Sequence, residues 1–323
     1  MMLERVVRSI AVACLSSAVI SVAWAQSYPS KAVRVIVASS AGSNPDTVAR
    51  VVADGLTQVL GQQVIVDDRA GAGGNIGAEV AARAPADGYT VFLAHTNHSV
   101  NATLYKKLSY DVLRDFSPVT LLALSAYVAS VHPSVPARSV RDLVNIAKSR
   151  PNELTYSSAG TGSGTFFAAE YFKGMAKVNM LHVAYKGGGP ALSSVLSGET
   201  TVYFTPVATG LPHFRGGKLR ALGVTSAKRL SELPDVPPIA DTLPGYELLG
   251  WAGLMVQVKA PKDVVDTLHN AAVTALKRPD VAKRLDDLGY IPVGSRPEEM
   301  GAYVKSEIDK YAKLIAQIGL PRE

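Results

Sequence analysis

Short β-branched runs alternate with stretches of helical period along most of this chain, and that alternation restricts the fold more than any other feature. Residues 33–37 (Val-Arg-Val-Ile-Val) read as a buried strand. The stretch 48–60 then places Val48, Val51, Val52, Leu56, Val59 and Leu60 on one helical face, and Gly61 ends it. A strand at 64–66, a glycine-rich loop opening a helix at 76–84, and a strand at 90–94 continue the series. Strand, helix, strand, helix, strand is the pattern of a parallel α/β sheet. After a long apolar run at 119–131, closed by Pro133 and Pro136, the pattern begins again. Helices are expected at 139–149, 165–174 and 190–197, and strands at 154–157, 181–184, 200–204 and 219–224.

Two such series fit the length. A chain of 323 residues exceeds what one hydrophobic core usually serves, so two α/β lobes are expected. A stretch bearing Pro234, Pro237, Pro238 and Pro244 is irregular, and a strand-like run follows at 248–258. Two capped helices close the chain, one after Pro261 and one after a Ser295-Arg296-Pro297-Glu298 capping box. The last helix buries a face from Met300 to Ile318. The runs near 119–131 and 248–258 join the lobes: 26–125 with 251–323 form the first, and 126–250 the second. A cleft between lobes is a favoured ligand site.

The N-terminus has the order of an export signal. Arg5 and Arg8 precede an uncharged, largely apolar stretch at 9–22, and Ala23-Trp24-Ala25 places small residues before Gln26. The stretch is shorter than the ~20 residues of a membrane span. Cleavage after Ala25, and hence a periplasmic location, is expected. The one cysteine, Cys14, lies in the signal, so the mature chain holds no thiol, disulfide or Cys-based zinc site. Loss of Glu4, Arg5 and Arg8 takes the charge from +6 to +5. The remaining cations are scattered, as at Lys106-Lys107 and Lys283-Arg284, so nucleic-acid binding is not expected. The 47% hydrophobic content excludes wholesale disorder.

Chemistry in open α/β sheets collects where strands give way to helices. The first junction reads Ser39-Ser40-Ala41-Gly42-Ser43-Asn44-Pro45-Asp46, with Asn44 as the expected N-cap and Pro45 as first helical residue. The second reads Ser157-Ser158-Ala159-Gly160-Thr161-Gly162-Ser163-Gly164-Thr165, ahead of Phe166 and Phe167. Each offers hydroxyls, backbone N–H groups and a helix N-terminus, a combination suited to an anion. Two such loops, one per lobe, face each other across a cleft.

Other motifs are weaker. Gly71, Gly73 and Gly77 have GxGxxxG spacing, one residue longer than the dinucleotide fingerprint. There is no GxxxxGK[ST] loop, and Ser163 lacks the GxSxG context of an α/β-hydrolase. His95 and His98 are spaced for a metal pair but have no third ligand in view, so they read as polar lining. Lys186, ahead of three glycines, reads as a solvated loop lysine. No cofactor is expected, and no nucleophile–base constellation emerges. A hydrolase built on Ser163 and a histidine such as His98 is the enzyme alternative.

The motifs as a set resemble the tripartite tricarboxylate transporter receptor (Bug) family. Matching stretches are Leu60-Gly61-Gln62-Gln63-Val64, the run Arg69-Ala70-Gly71-Ala72-Gly73-Gly74-Asn75-Ile76-Gly77-Ala78, and Asp87-Gly88-Tyr89-Thr90. Further matches are Asp115-Phe116-Ser117-Pro118-Val119, Ala184-Tyr185-Lys186-Gly187-Gly188 and Gly217-Lys218-Leu219-Arg220-Ala221-Leu222. The resemblance implies a type II periplasmic binding protein fold, closure on a small carboxylate, and no catalysis. It implies contacts from Ser39, Ser40, Ala41, Gly42, Ser43, Asn44 and Asp46 in the first loop, and from a loop bearing Thr96, Asn97 and His98. In the second lobe it implies Ser158, Gly160, Thr161, Gly162, Ser163 and Thr165. Phe166 stands where the family commonly has a histidine, and Thr205 where an acid is common. The first loop also lacks the family's Pro-Pro-Gly-Gly character. These departures point to a dicarboxylate with an apolar or aromatic body, since an ammonium group would want that acid. The expected partners are membrane permease subunits of a tripartite transporter, served by a monomeric receptor. A sensor feeding a signalling partner shares the same fold and pocket.

Overall fold

The structure, a computed structural model, describes residues 28–322. The export segment, with Cys14 and the cleavage site after Ala25, lies outside the described residues. Among the described residues no helix is long and apolar enough to cross a membrane.

Two sheets organise the chain. In the first, β1 (Val33–Val37), β2 (Val64–Asp68) and β3 (Thr90–His95) are parallel, with β1 between the other two. Next to β3 runs β10 (Gly250–Gln257), antiparallel, followed by β4 (Phe116–Ser125) and the short β11 (Tyr290–Pro292). The second sheet has the order β7 (Leu181–Ala184), β6 (Thr155–Ser158), β8 (Val202–Pro206), β5 (Tyr127–Val131), β9 (Arg220–Val224). The central strands carry Val, Ile and Leu on both faces because helices cover both.

The helices of the first lobe are α1 (Asn44–Leu60), α2 (Asn75–Ala82) and α3 (Thr96–Leu104). Those of the second are α4 (Val140–Ser149), α5 (Gly164–Ala176), α6 (Gly188–Leu196) and α7 (Val207–Arg215). The chain closes with α8 (Lys262–Leu276), α9 (Pro279–Asp287) and α10 (Pro297–Ile318). Gly61 stops α1 with φ 65°, where its N–H donates to the Thr57 carbonyl.

The apolar run 119–131 is two strands of different sheets, broken at Ala126. There Tyr127 N–H donates to Thr225 Oγ1 (2.9 Å) and Thr225 N–H returns to the Tyr127 carbonyl (2.9 Å). Leu248 N–H donates to Thr225 O (3.1 Å), so the two passages of chain between the sheets are bonded to each other.

The last helix serves both halves. Met300 and Val304 pack in the core with Phe92, Phe116 and Trp251, whereas Tyr311, Leu314 and Ile315 pack with Phe167 and Phe172 of α5. Its apolar face also carries Glu307, 2% exposed and paired with Lys310. Burial pushes this carboxyl above its usual range.

Several expectations change. Ser43, not Asn44, caps α1: Ser43 has extended backbone and its Oγ accepts from Asp46 N–H. At α10 the cap is one-sided and comes from Glu299, not from Ser295 with Glu298: Glu299 accepts from Arg296 N–H at Oε2 (2.9 Å) and from Arg296 Nε at Oε1 (3.0 Å). Residues 96–98, expected in a loop, are the first turn of α3.

Candidate functional site

Five helices begin around one cavity of about 490 Å³ between the sheets. From the first lobe come residues 39–45, the turn 95–97, Gly250 and Trp251. From the second come Ala159, residues 163–165, residues 186–190, Tyr127 and Tyr203, with Leu192 and Pro206 adding apolar surface. These positions follow from topology, because strands β1, β3, β6, β7 and β8 end here and the helices after them start here.

The backbone supplies most of the polarity. The first N–H groups of a helix have no partner within it. Asn44 of α1, Gly164 and Thr165 of α5, and Gly188 and Gly189 of α6 all line the cavity, and their N–H groups meet no acceptor among the described residues. Each terminus also carries the positive end of its helix dipole. Lys186 is the one Lys or Arg of the wall, which holds no Asp or Glu. The wall therefore favours an anion, and it leaves nothing to neutralise an ammonium.

Side chains brace this backbone. Asp46, 2% exposed, turns away from the cavity: Oδ2 accepts from Gly42 N–H (2.7 Å) and Oδ1 pairs with Arg50 Nε (2.7 Å). Asn44 Nδ2 donates to Ser125 Oγ (3.0 Å), and Asn44 Oδ1 accepts from Tyr290 OH. In the second loop Ser163 Oγ donates to Gly160 O (2.7 Å) and accepts from Phe166 N–H (3.3 Å), while Thr165 Oγ1 accepts from Ala159 N–H (3.0 Å). Gly74 and Gly77 wedge the glycine-rich loop under β1: a Cβ on Gly77 would lie 2.8 Å from both Ala38 Cα and Arg69 O.

His95 and His98 cap α3 rather than ligate metal. His95 N–H donates to His98 Nδ1 (2.9 Å), and the His95 side chain accepts from the His98 backbone. His98 Nδ1 also lies 3.0 Å from His95 O, and His95 Nε2 lies 3.5 Å from Ala38 O. Burial holds His95 at about 4, and burial with the neighbouring His95 holds His98 well below its ordinary value. Among the described residues no three His, Cys, Asp or Glu side chains gather as a metal site.

Of the residues expected from sequence, Ser39, Ser40, Ala41, Gly42, Ser43 and Asn44 line the cavity, together with Thr96, Asn97, Ser163 and Thr165. The others stand behind it. His98 is fully buried under α3, and Asp46 is turned toward Arg50. Ser158 bonds His182 Nε2 (2.7 Å) and accepts from Gly160 N–H (3.1 Å). Gly160, Thr161 and Gly162 form the back of their loop, away from the lining. The Phe166 ring packs on His182 (4.9 Å), and Thr205 Oγ1 pairs with Ser130 Oγ (2.7 Å) inside the second lobe. Lys186, set aside as solvated, stands on the wall, with Tyr127, Tyr203 and His95 beside it. Ser163 has no histidine among its hydrogen-bond partners, and the Ser158–His182 pair lies outside the cavity lining. The hydrolase alternative thus lacks a base in contact with Ser163. A second hollow of about 470 Å³, between Tyr171 and the Lys310–Gln317 side of α10, has no helix N-terminus in its wall.

Two α/β lobes with an anion-suited cavity at their meeting edges have the build of a type II-like periplasmic binding protein. The chain belongs to the tripartite tricarboxylate transporter receptor family, whose model matches residues 48–320. That family is one of solute receptors rather than enzymes. A protein from the tcbD-tcbE intergenic region of Pseudomonas sp. (strain P51) is 35% identical over 91% of this chain and 88% of its own length. A solved periplasmic transporter is 38% identical, covering 92% of this chain and all of its own, with TM-score 0.85. A Rhodopseudomonas palustris protein solved with adipate is 33% identical over 90% of this chain and 98% of its own, with TM-score 0.84. MatC of the same organism, solved with bound malate, is 29% identical over 89% of this chain and all of its own, with TM-score 0.80.

Proposed function

We propose that this chain is a periplasmic receptor that captures a small dicarboxylate with an apolar or aromatic body and delivers it to the membrane subunits of a tripartite uptake system. One observation carries this reading: five backbone N–H groups without acceptors, from three helix N-termini, meet Lys186 in a cavity whose wall holds no carboxylate. Such groups are preorganised donors for carboxylate oxygens. The apolar surface of Leu192, Pro190 and Pro206 suits the body between the acid groups. The export signal read at residues 1–25, and the periplasmic description of a solved relative, support the location. The adipate and malate bound by two relatives support the ligand class. The receptor acts as a monomer, with 26–125 plus 251–323 as one lobe and 126–250 as the other.

A thermal-shift screen of residues 26–323 against mono-, di- and tricarboxylates tests the ligand class. A ligand at 100 times its dissociation constant adds about 2.7 kcal/mol of stability, a shift of several degrees. Stabilisation by dicarboxylates is expected; a response to neutral sugars or cationic amines, with none to any carboxylate, would overturn the reading.

A further inference from the structure

We infer that the Tyr127 hydroxyl is a ligand-selecting donor at the floor of the cavity, placed to bind the acceptor end of the ligand that also meets the first turn of α5. The inference rests on the carboxylate reading and adds a residue to it. Tyr127 opens β5 directly after the Ala126 crossing, and its main chain is fixed on both sides by Thr225. Its ring packs in the core with Val100, Leu104 and Phe166, leaving it 6% exposed. The hydroxyl emerges where the two lobes meet. A Cβ on Gly164 would overlap its oxygen, and a Cβ on Gly250 would lie 2.9 Å from it. Neither glycine has a positive φ, so neither is required by backbone conformation. What their missing side chains supply is room for this oxygen.

A buried phenol usually finds a partner, yet the Tyr127 oxygen has none among the described residues, although its residue lines the cavity. Gly164, beside it, offers one of the N–H groups that lack an acceptor. Phenol and amide thus stand side by side on the cavity wall. Tyr203 repeats the arrangement on the same wall: 1% exposed, its oxygen unpartnered, and 3.5 Å from where a Cβ of Gly188 at the start of α6 would stand. Two unpartnered phenols beside two open helix starts in one cavity are best explained by ligand atoms that complete both. Burial, and secondarily Glu307, push the Tyr127 phenol above its ordinary range, so it remains a donor at physiological pH.

The test is calorimetry of wild type and Tyr127→Phe with succinate and adipate, together with thermal unfolding of the ligand-free proteins. The substitution keeps the ring. Because the hydroxyl has no protein partner, the unfolding temperature of the free protein should hold or rise. Affinity should fall about 10- to 100-fold, the range for a hydrogen bond to a charged group. Gly164→Ala, which displaces the hydroxyl, should weaken binding at least as much. Unchanged affinity in Tyr127→Phe, or a loss matched by lower stability of the free protein, would overturn the inference while leaving the carboxylate reading intact. Failure of wild type to bind either diacid would remove both.

Discussion

Lowering the pH from 7 to 5 should cost the ligand-free protein about 2 kcal/mol of stability through His95, with a further loss through His98. His95 and His98 are 4% and 0% exposed at the start of α3. Protonation would place a charge in the core. Burial therefore holds His95 at about 4 and His98 well below its usual value. The sign follows from proton counting. Below the ordinary histidine value of about 6.5 the unfolded chain takes up protons that the native state refuses, so stability falls as pH falls. For His95 the loss runs from about 6.5 down to about 4. Glu307 works in the opposite sense: its raised pKa means the native state holds its proton longer, and its contribution is lost as pH rises. Guanidinium unfolding at pH 7, 6 and 5 reads the sum. His98→Asn, which retains a cap acceptor but cannot titrate, should make the fall with pH shallower. Equal pH slopes in wild type and variant would contradict the account.

Asp46→Ala should destabilise by about 2–3 kcal/mol and weaken ligand binding at least tenfold, although the side chain never reaches the cavity. The carboxylate holds Gly42 N–H at 2.7 Å and Arg50 at 2.7 Å from under the loop 39–43. Arg50 is half exposed, so the ion pair contributes less than a buried one. The larger share comes from the lost charge-assisted hydrogen bond to Gly42 N–H and from the lost negative charge at the start of α1. Without this brace the wall segment ahead of Asn44 loses its fixed shape. Asp46→Asn keeps an acceptor for Gly42 and should recover most of the binding. Chemical denaturation and calorimetry on the three proteins check this, and a neutral Asp46→Ala would contradict it.

The alternating pattern made the fold legible because each core strand and helix is apolar in its own period. The elements it missed have other causes. The segment Thr96–Leu104 is polar, and its helix is started by two histidines in a cap that hydroxyl and amide signals do not reveal. The helix Val207–Arg215 contains Pro212 and Gly210, which read as breakers. Within the site, hydroxyl-rich loops drew attention to side chains, whereas the free donors are mainly amides at helix starts. Ser163 was an expected donor, but its proton goes to Gly160 O. Asp46, read as a contact of the first loop, lies in the first turn of α1, where Arg50, one turn on, draws its carboxylate away from the cavity. Tyr127 and Tyr203 carry no sequence signal of a site: their rings are core, and only packing places both residues on the cavity wall.

The most direct test of the central claim is calorimetry of residues 26–323 at neutral pH with adipate, malate and glutamate in turn. A wall with open amides, Lys186 and no carboxylate predicts saturable one-to-one binding of a diacid, at micromolar dissociation constants or tighter (about −8 kcal/mol). It predicts no measurable binding of glutamate, whose ammonium finds no partner there. Tight binding of glutamate, with none of either diacid, would contradict it.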